Sequence, residues 1–177
     1  MGLYAFYKNQ GVDFEKRRIA FKERIQNWIA DGDANFNLKE DQYHYNTYVD
    51  APNTSFVISG LTTERLMPEF YRDFEFSKVK DFSLYDCRIM SLQGLPLEVF
   101  GDLKFEKCDW KFGQKDIFLY LRKKVHGNIY IKECPYLYKS YFKHLADVDG
   151  EIFDDKPETP ESVQLAIDIL KKFHYSK

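Results

Sequence analysis

Three cysteines stand at the same place in a repeated phrase, and that repeat constrains the fold more than any other feature of the chain. Leading into Cys108 is Val99-x-Gly101-Asp102-Leu103-x-Phe105-x-x-Cys108, and leading into Cys134 is Val125-x-Gly127-Asn128-Ile129-x-Ile131-x-x-Cys134. Asp81-Phe82-x-Leu84-x-x-Cys87 precedes the first cysteine, and Val148-x-Gly150-Glu151-Ile152 restarts the phrase before it breaks off at Asp154. Looser copies run backward as Ser55-Phe56-x-Ile58-x-x-Leu61 and Asn35-Phe36-x-Leu38-x-x-Asp41. Register positions from Asp41 to Pro157 are 20, 26, 21, 26 and 23 residues apart. Units of that length are single supersecondary elements that bury their apolar faces by stacking on their neighbours.

Each unit predicts a short strand whose alternate residues point inward, then a turn at the cysteine and a return segment. Stacked units make a parallel sheet. The glycine ahead of each strand is expected to take backbone angles that a Cβ forbids. An apolar residue recurs two positions past the cysteine, as Tyr43, Ile89, Trp110 and Tyr136, with Thr63 the exception.

Val79-x-x-Phe82-x-Leu84-x-x-Cys87-x-Ile89 resembles the core of the leucine-rich repeat, L-x-x-L-x-L-x-x-N/C-x-L, and the likeness extends over roughly residues 35–157. The stretch Ser91-Leu92-x-Gly94-x-Pro96-x-x-Val99-x-Gly101-Asp102-Leu103 is also similar to repeats of tailed-bacteriophage proteins, over about one and a half units. The resemblance implies an α/β fold: a short leucine-rich-repeat-like solenoid with a parallel sheet, a helical or irregular convex side, and helical caps at both ends.

The expected division is residues 1–34 as an N-terminal helical cap, 35–157 as the solenoid and 158–177 as a C-terminal capping helix, all in one structural domain. The first cap is read as a helix from Asp13 to about Ala30 with an apolar stripe of Phe14, Phe21, Ile25, Trp28 and Ile29. Thr159-Pro160-Glu161 starts the second, whose stripe is Val163, Ala166, Ile167, Leu170 and Phe173. Helical spacing also predicts return helices at Pro68 to Phe74, Lys115 to Lys124 and Tyr138 to Ala146.

Composition excludes several functions. A formal charge of −2 supplies no global positive field for a phosphate backbone, so nucleic acid is disfavoured as a partner. Neither a membrane-spanning apolar run nor a signal peptide or myristoylation signal is evident, which leads us to expect a soluble, cytoplasmic protein. Walker, H-E-x-x-H and G-x-S-x-G motifs are missing, and the four histidines lie in different segments, so we expect no enzyme and no cofactor. Three cysteines without C-x-x-C spacing predict buried, reduced thiols; the alternative is a soft-metal or disulfide site where stacked thiols approach one another.

The residues between the inward pairs define the candidate site. Val57 and Ser59, Ser83 and Tyr85, Lys104 and Glu106, Tyr130 and Lys132, and Phe153 and Asp155 would share one extended face. Aromatics among charges of both signs suit a protein partner. On the phage likeness, that partner would be a host factor. The alternative reading is nucleic-acid or acidic-partner binding through Lys16, Arg17, Arg18, Lys22 and Arg24 of the N-terminal helix, a field diluted by Glu15 and Glu23.

Overall fold

The computed structural model describes residues 16, 19, 23, 25–32, 37–40, 47–60, 74–89, 95–110 and 123–174. The chain begins with strands β1 (Ile29–Gly32), β2 (Asn37–Glu40), β3 (Thr47–Ala51) and β4 (Thr54–Ser59). Next come β5 (Phe74–Val79), β6 (Phe82–Tyr85), β7 (Arg88–Ile89), β8 (Glu98–Val99), β9 (Leu103–Glu106) and β10 (Asp109–Trp110). It ends with β11 (Lys124–Val125), β12 (Ile129–Lys132), helix α1 (Lys139–Leu145), β13 (Asp147–Val148), β14 (Ile152–Asp154) and helix α2 (Pro160–His174).

The fold is α/β and built on two six-stranded, largely parallel sheets, with β7 and β10 pairing as a small parallel sheet of their own. One has the order β1-β4-β6-β9-β12-β14 and the other β13-β11-β8-β5-β3-β2. All neighbours are parallel except at one end, where β1 lies antiparallel on β4 and β2 antiparallel on β3. Register is kept from unit to unit, so Ile58, Leu84, Phe105 and Ile131 form one inward column and Phe56, Phe82, Leu103 and Ile129 another. All eight are buried. Phe76 of β5 joins the sheets, packing edge-on against Phe56 and Phe82 with ring centroids 5.2 and 5.1 Å away. Further along, Phe142 of α1 stacks on Phe105 at 5.4 Å.

The sequence predicts one parallel sheet; a second is present. It is made from the segment that ends in the valine before each glycine, so Val79, Val99 and Val125 are inward strand residues, each 0–1% exposed. The glycine expectation is also corrected. Gly101, Gly127 and Gly150 do not have positive φ; what they need is room. A Cβ on Gly127 would collide with the Gly101 carbonyl and lie 2.7 Å from Asp102 Oδ1, and one on Gly150 would collide likewise with Gly127 and Asn128. Left-handed backbone occurs instead just before the cysteine position, at Gly60, Asp86, Lys107 and Glu133, with φ of 67°, 50°, 54° and 53°.

Side chains at the corner between the sheets tie each unit to the next. Asp81 Oδ1 accepts the Asp102 N–H at 2.8 Å, Asp102 Oδ1 accepts that of Asn128 at 2.9 Å, and Asn128 Oδ1 accepts that of Glu151 at 2.9 Å. Ser55 begins the series, its hydroxyl donating to Asp81 Oδ2 at 2.7 Å. The three amide bonds satisfy N–H groups of the corner that have left one sheet and not yet joined the other, two of them partly buried.

The cysteines form a buried column of free thiols. Cys87 donates to the carbonyls of Ile58 and Tyr85, at 3.4 and 3.2 Å, and Cys108 to those of Leu84 and Glu106, at 3.4 and 3.3 Å. The neighbouring thiols, Cys134 foremost, together with burial push the Cys108 thiol well above its ordinary pKa. Among the described residues no cluster of three or more His, Cys, Asp or Glu is placed to hold a metal ion.

Several elements differ from expectation at the N-terminal end. Helical backbone is seen at 16, 19, 23, 25 and 26, but Ile29 to Gly32 is strand, not the last turn of a helix reaching Ala30. Edge pairing wins there over an apolar stripe: Ile29 faces Phe56, and the Val57 N–H donates to the Trp28 carbonyl at 2.9 Å. Residues 37–40, read as part of the first repeat, are an antiparallel strand of the second sheet.

The return helix predicted over Tyr138 to Ala146 is α1. The Lys115 to Lys124 helix falls outside the described residues except at Lys123 and Lys124, the latter opening β11. Similarly, the Pro68 to Phe74 helix is outside them except for Phe74, which opens β5. α2 starts where its cap residues place it: the Ser162 N–H donates to Thr159 Oγ1 at 3.1 Å, and Pro160 takes the first helical position. It packs on α1, with Ser140 and Ser162 hydroxyls 3.1 Å apart.

Candidate interaction surface

Strand alternation delivers the candidate residues to the outer face of the first sheet. Val57, Ser83, Lys104, Tyr130 and Phe153 are direct neighbours across successive strands, and Ser59, Tyr85, Glu106 and Lys132 form the parallel row beside them. Val57, Tyr85, Lys104, Lys132, Phe153 and Asp155 are exposed; Ser83, Glu106 and Tyr130 are half-buried.

These side chains are ordered by one another. Tyr130 stacks on Phe153 with centroids 5.1 Å apart and planes 14° from parallel, and the Lys104 ammonium lies 5.6 Å from the Tyr130 centroid. Asn128 Nδ2 donates to the Tyr130 hydroxyl at 3.2 Å. Lys132 pairs with Glu106 at 3.0 Å, which holds its ammonium above the ordinary lysine range. Preordered aromatic and cationic groups cost little further entropy when a partner binds.

Asp155 departs from this arrangement. It follows the last strand, and its carboxylate accepts the Glu133 N–H at 2.6 Å, the amide for which earlier units supply a carbonyl from the next unit. Its first task is therefore to close the left-handed corner.

Sequence reasoning missed Lys107. Its left-handed backbone directs the side chain to Tyr85, with the ammonium 5.4 Å from the ring centroid and 3.3 Å from the hydroxyl. That hydroxyl first, then the Glu133 and Glu106 carboxylates, raise the Lys107 pKa.

A second ordered face was missed as well. On the second sheet, Lys78, Glu98, Lys124 and Asp147 alternate in sign across adjacent strands, with Lys78 to Glu98 at 3.3 Å and Lys124 to Asp147 at 3.1 Å. Beside them His126 lies between two carboxylates, Nε2 at 2.9 Å from Glu98 and Nδ1 at 3.0 Å from Asp149, and stacks flat on Phe100 at 5.2 Å. The signal was available: aligning the units on Val79, Val99, Val125 and Val148 stacks these residues in columns.

Of the basic N-terminal residues, Lys16 is exposed, whereas Arg17, Arg18, Lys22 and Arg24 lie outside the described residues. Among the described residues no helix is long and apolar enough to cross a membrane. Comparison with protein-family models, curated proteins and solved structures found no match.

Proposed function

We propose that the chain is a short leucine-rich-repeat-like solenoid that works as a non-enzymatic protein-binding module in the cytoplasm. On the likeness to phage repeats, the partner is a host protein. The observation that carries this reading is the outward row Lys104, Tyr130 and Phe153, flanked by Tyr85 with Lys107: exposed Tyr85 and Phe153 and half-buried Tyr130, ordered by stacking and by lysine ammonium groups over the tyrosine rings. Aromatic anchors beside cations make such a face suited to an apolar patch rimmed with acid. The packing of α2 on α1 and the antiparallel strands β1 and β2 at the first ends of the two sheets support the solenoid reading, since the ends of a stacked array need cover.

The test is affinity capture from a bacterial lysate, comparing the native chain with Tyr85→Ala/Tyr130→Ala. A partner lost from the double variant supports the outer face of the first sheet as the interface. A partner retained equally by both chains overturns it.

A further inference from the structure

The two sheets end differently at their two ends. At the first end an antiparallel strand covers each sheet, whereas among the described residues β14 and β13 are the last strands at the other. Toward β12, Glu151 supplies its carbonyl to the Ile129 N–H at 2.9 Å, and the Asp155 N–H donates to the Ile131 carbonyl at 3.2 Å. In a parallel ladder of that phase the N–H and C=O of Ile152 and Asp154 point the other way, to the open edge.

Beside this edge is an open cavity of about 360 Å³, whose apolar wall is Phe142 of α1, Ala146 just after it, and Val148 and Ile152 of the terminal strands, and whose polar rim is Lys139, Lys143 and Glu158. It occupies the place where another unit would put its inward side chain. On the outward side are Phe153 of that strand and the two residues that flank it, Glu151 and Asp155, all exposed; the Asp155 carboxylate also accepts the Glu133 N–H. A second copy of β14 pairing there, in either direction, would set acid against acid, which guards the edge against self-association.

We propose that β14 receives an extended segment of a partner protein as an added parallel strand. The segment alternates: basic, aromatic and basic residues on the outward side meet Glu151, Phe153 and Asp155, and an aliphatic residue on the inward side packs on the apolar wall of the cavity at Val148 and Ile152. Backbone bonds to Ile152 and Asp154 supply affinity and the alternating side chains supply selection. This site is distinct from the outer face of the first sheet, and it extends that sheet by one strand.

The probe is an end-blocked, fluorescein-labelled peptide containing Lys-Val-Tyr-Val-Lys, followed by anisotropy against the full chain. Saturable binding is expected, at least about tenfold weaker for Glu151→Lys, with Tyr85→Ala unchanged. Hydrogen exchange should slow at the amides of Ile152 and Asp154. A peptide N-methylated on the amides that face β14 should not bind. Equal binding of the N-methylated peptide, protection confined to other strands, or no saturable binding would each overturn the proposal.

Discussion

Single positions in the repeat do different physical work, and two glycines separate the kinds. Gly60 has φ of 67° and open space around its α-carbon, so Gly60→Ala should cost only the left-handed backbone term, about 1–2 kcal/mol. Gly127 sits against the carbonyl of Gly101, so Gly127→Ala must push two backbones apart and should cost about 3 kcal/mol or more. Urea denaturation of both variants checks the ranking; equal losses would contradict it. Asp86, Lys107 and Glu133 accept the strain that glycine avoids at position 60. The Asp86 and Lys107 amides offset part of it by donating to the next unit, to Glu106 and Lys132, each at 2.9 Å.

Whole elements were legible to the extent that they carry a period. Phe82-x-Leu84, Leu103-x-Phe105 and Ile129-x-Ile131 alternate, and the structure buries the pairs as their spacing demands. β8, β11 and β13 are two residues each, too short for any alternation, so the second sheet was invisible apart from one valine per unit. At Asp154 the pattern breaks because the inward position holds a fully buried carboxylate, not an aliphatic chain: Oδ2 accepts the Lys139 N–H at 3.0 Å and so caps α1, while Oδ1 pairs with Lys156 at 2.8 Å. The outward rows of the candidate face followed from alternation alone, whereas Lys107 reached Tyr85 through a backbone angle that no period reports.

The columns of the second sheet have a consequence for acid stability. The His126 hydrogen bond, ahead of Lys78, holds the Glu98 carboxyl below its usual value of 4.5, and Lys124, ahead of His126, lowers Asp149 below 3.8. A carboxyl depressed in the folded chain contributes stability that is present above its unfolded value and lost as pH falls through the folded one. Resistance to urea should therefore decline below about pH 4.5. His126→Ala should flatten that decline, since Glu98 then loses its leading partner; an unchanged acid slope would contradict this account.

At the scale of the molecule, contacts run from each unit to its neighbours, so damage has a direction. The side chain of Asp102 holds the amide of Asn128, in the following unit. Asp102→Ala should orphan that amide at a cost of about 1–3 kcal/mol. In native-state hydrogen exchange, amides of β11, β12 and β14 should then open more readily than those of β4 and β6; uniform acceleration would argue against directional coupling. The same corner series bears on how the chain is made. Every acceptor in it, Asp81, Asp102 and Asn128, belongs to an earlier segment than the amide it receives. A ribosome delivers the N-terminal segment first. Each unit thus leaves the exit tunnel before its successor and displays the oxygen onto which that successor folds, so the fold can be copied forward during synthesis without waiting for its far end.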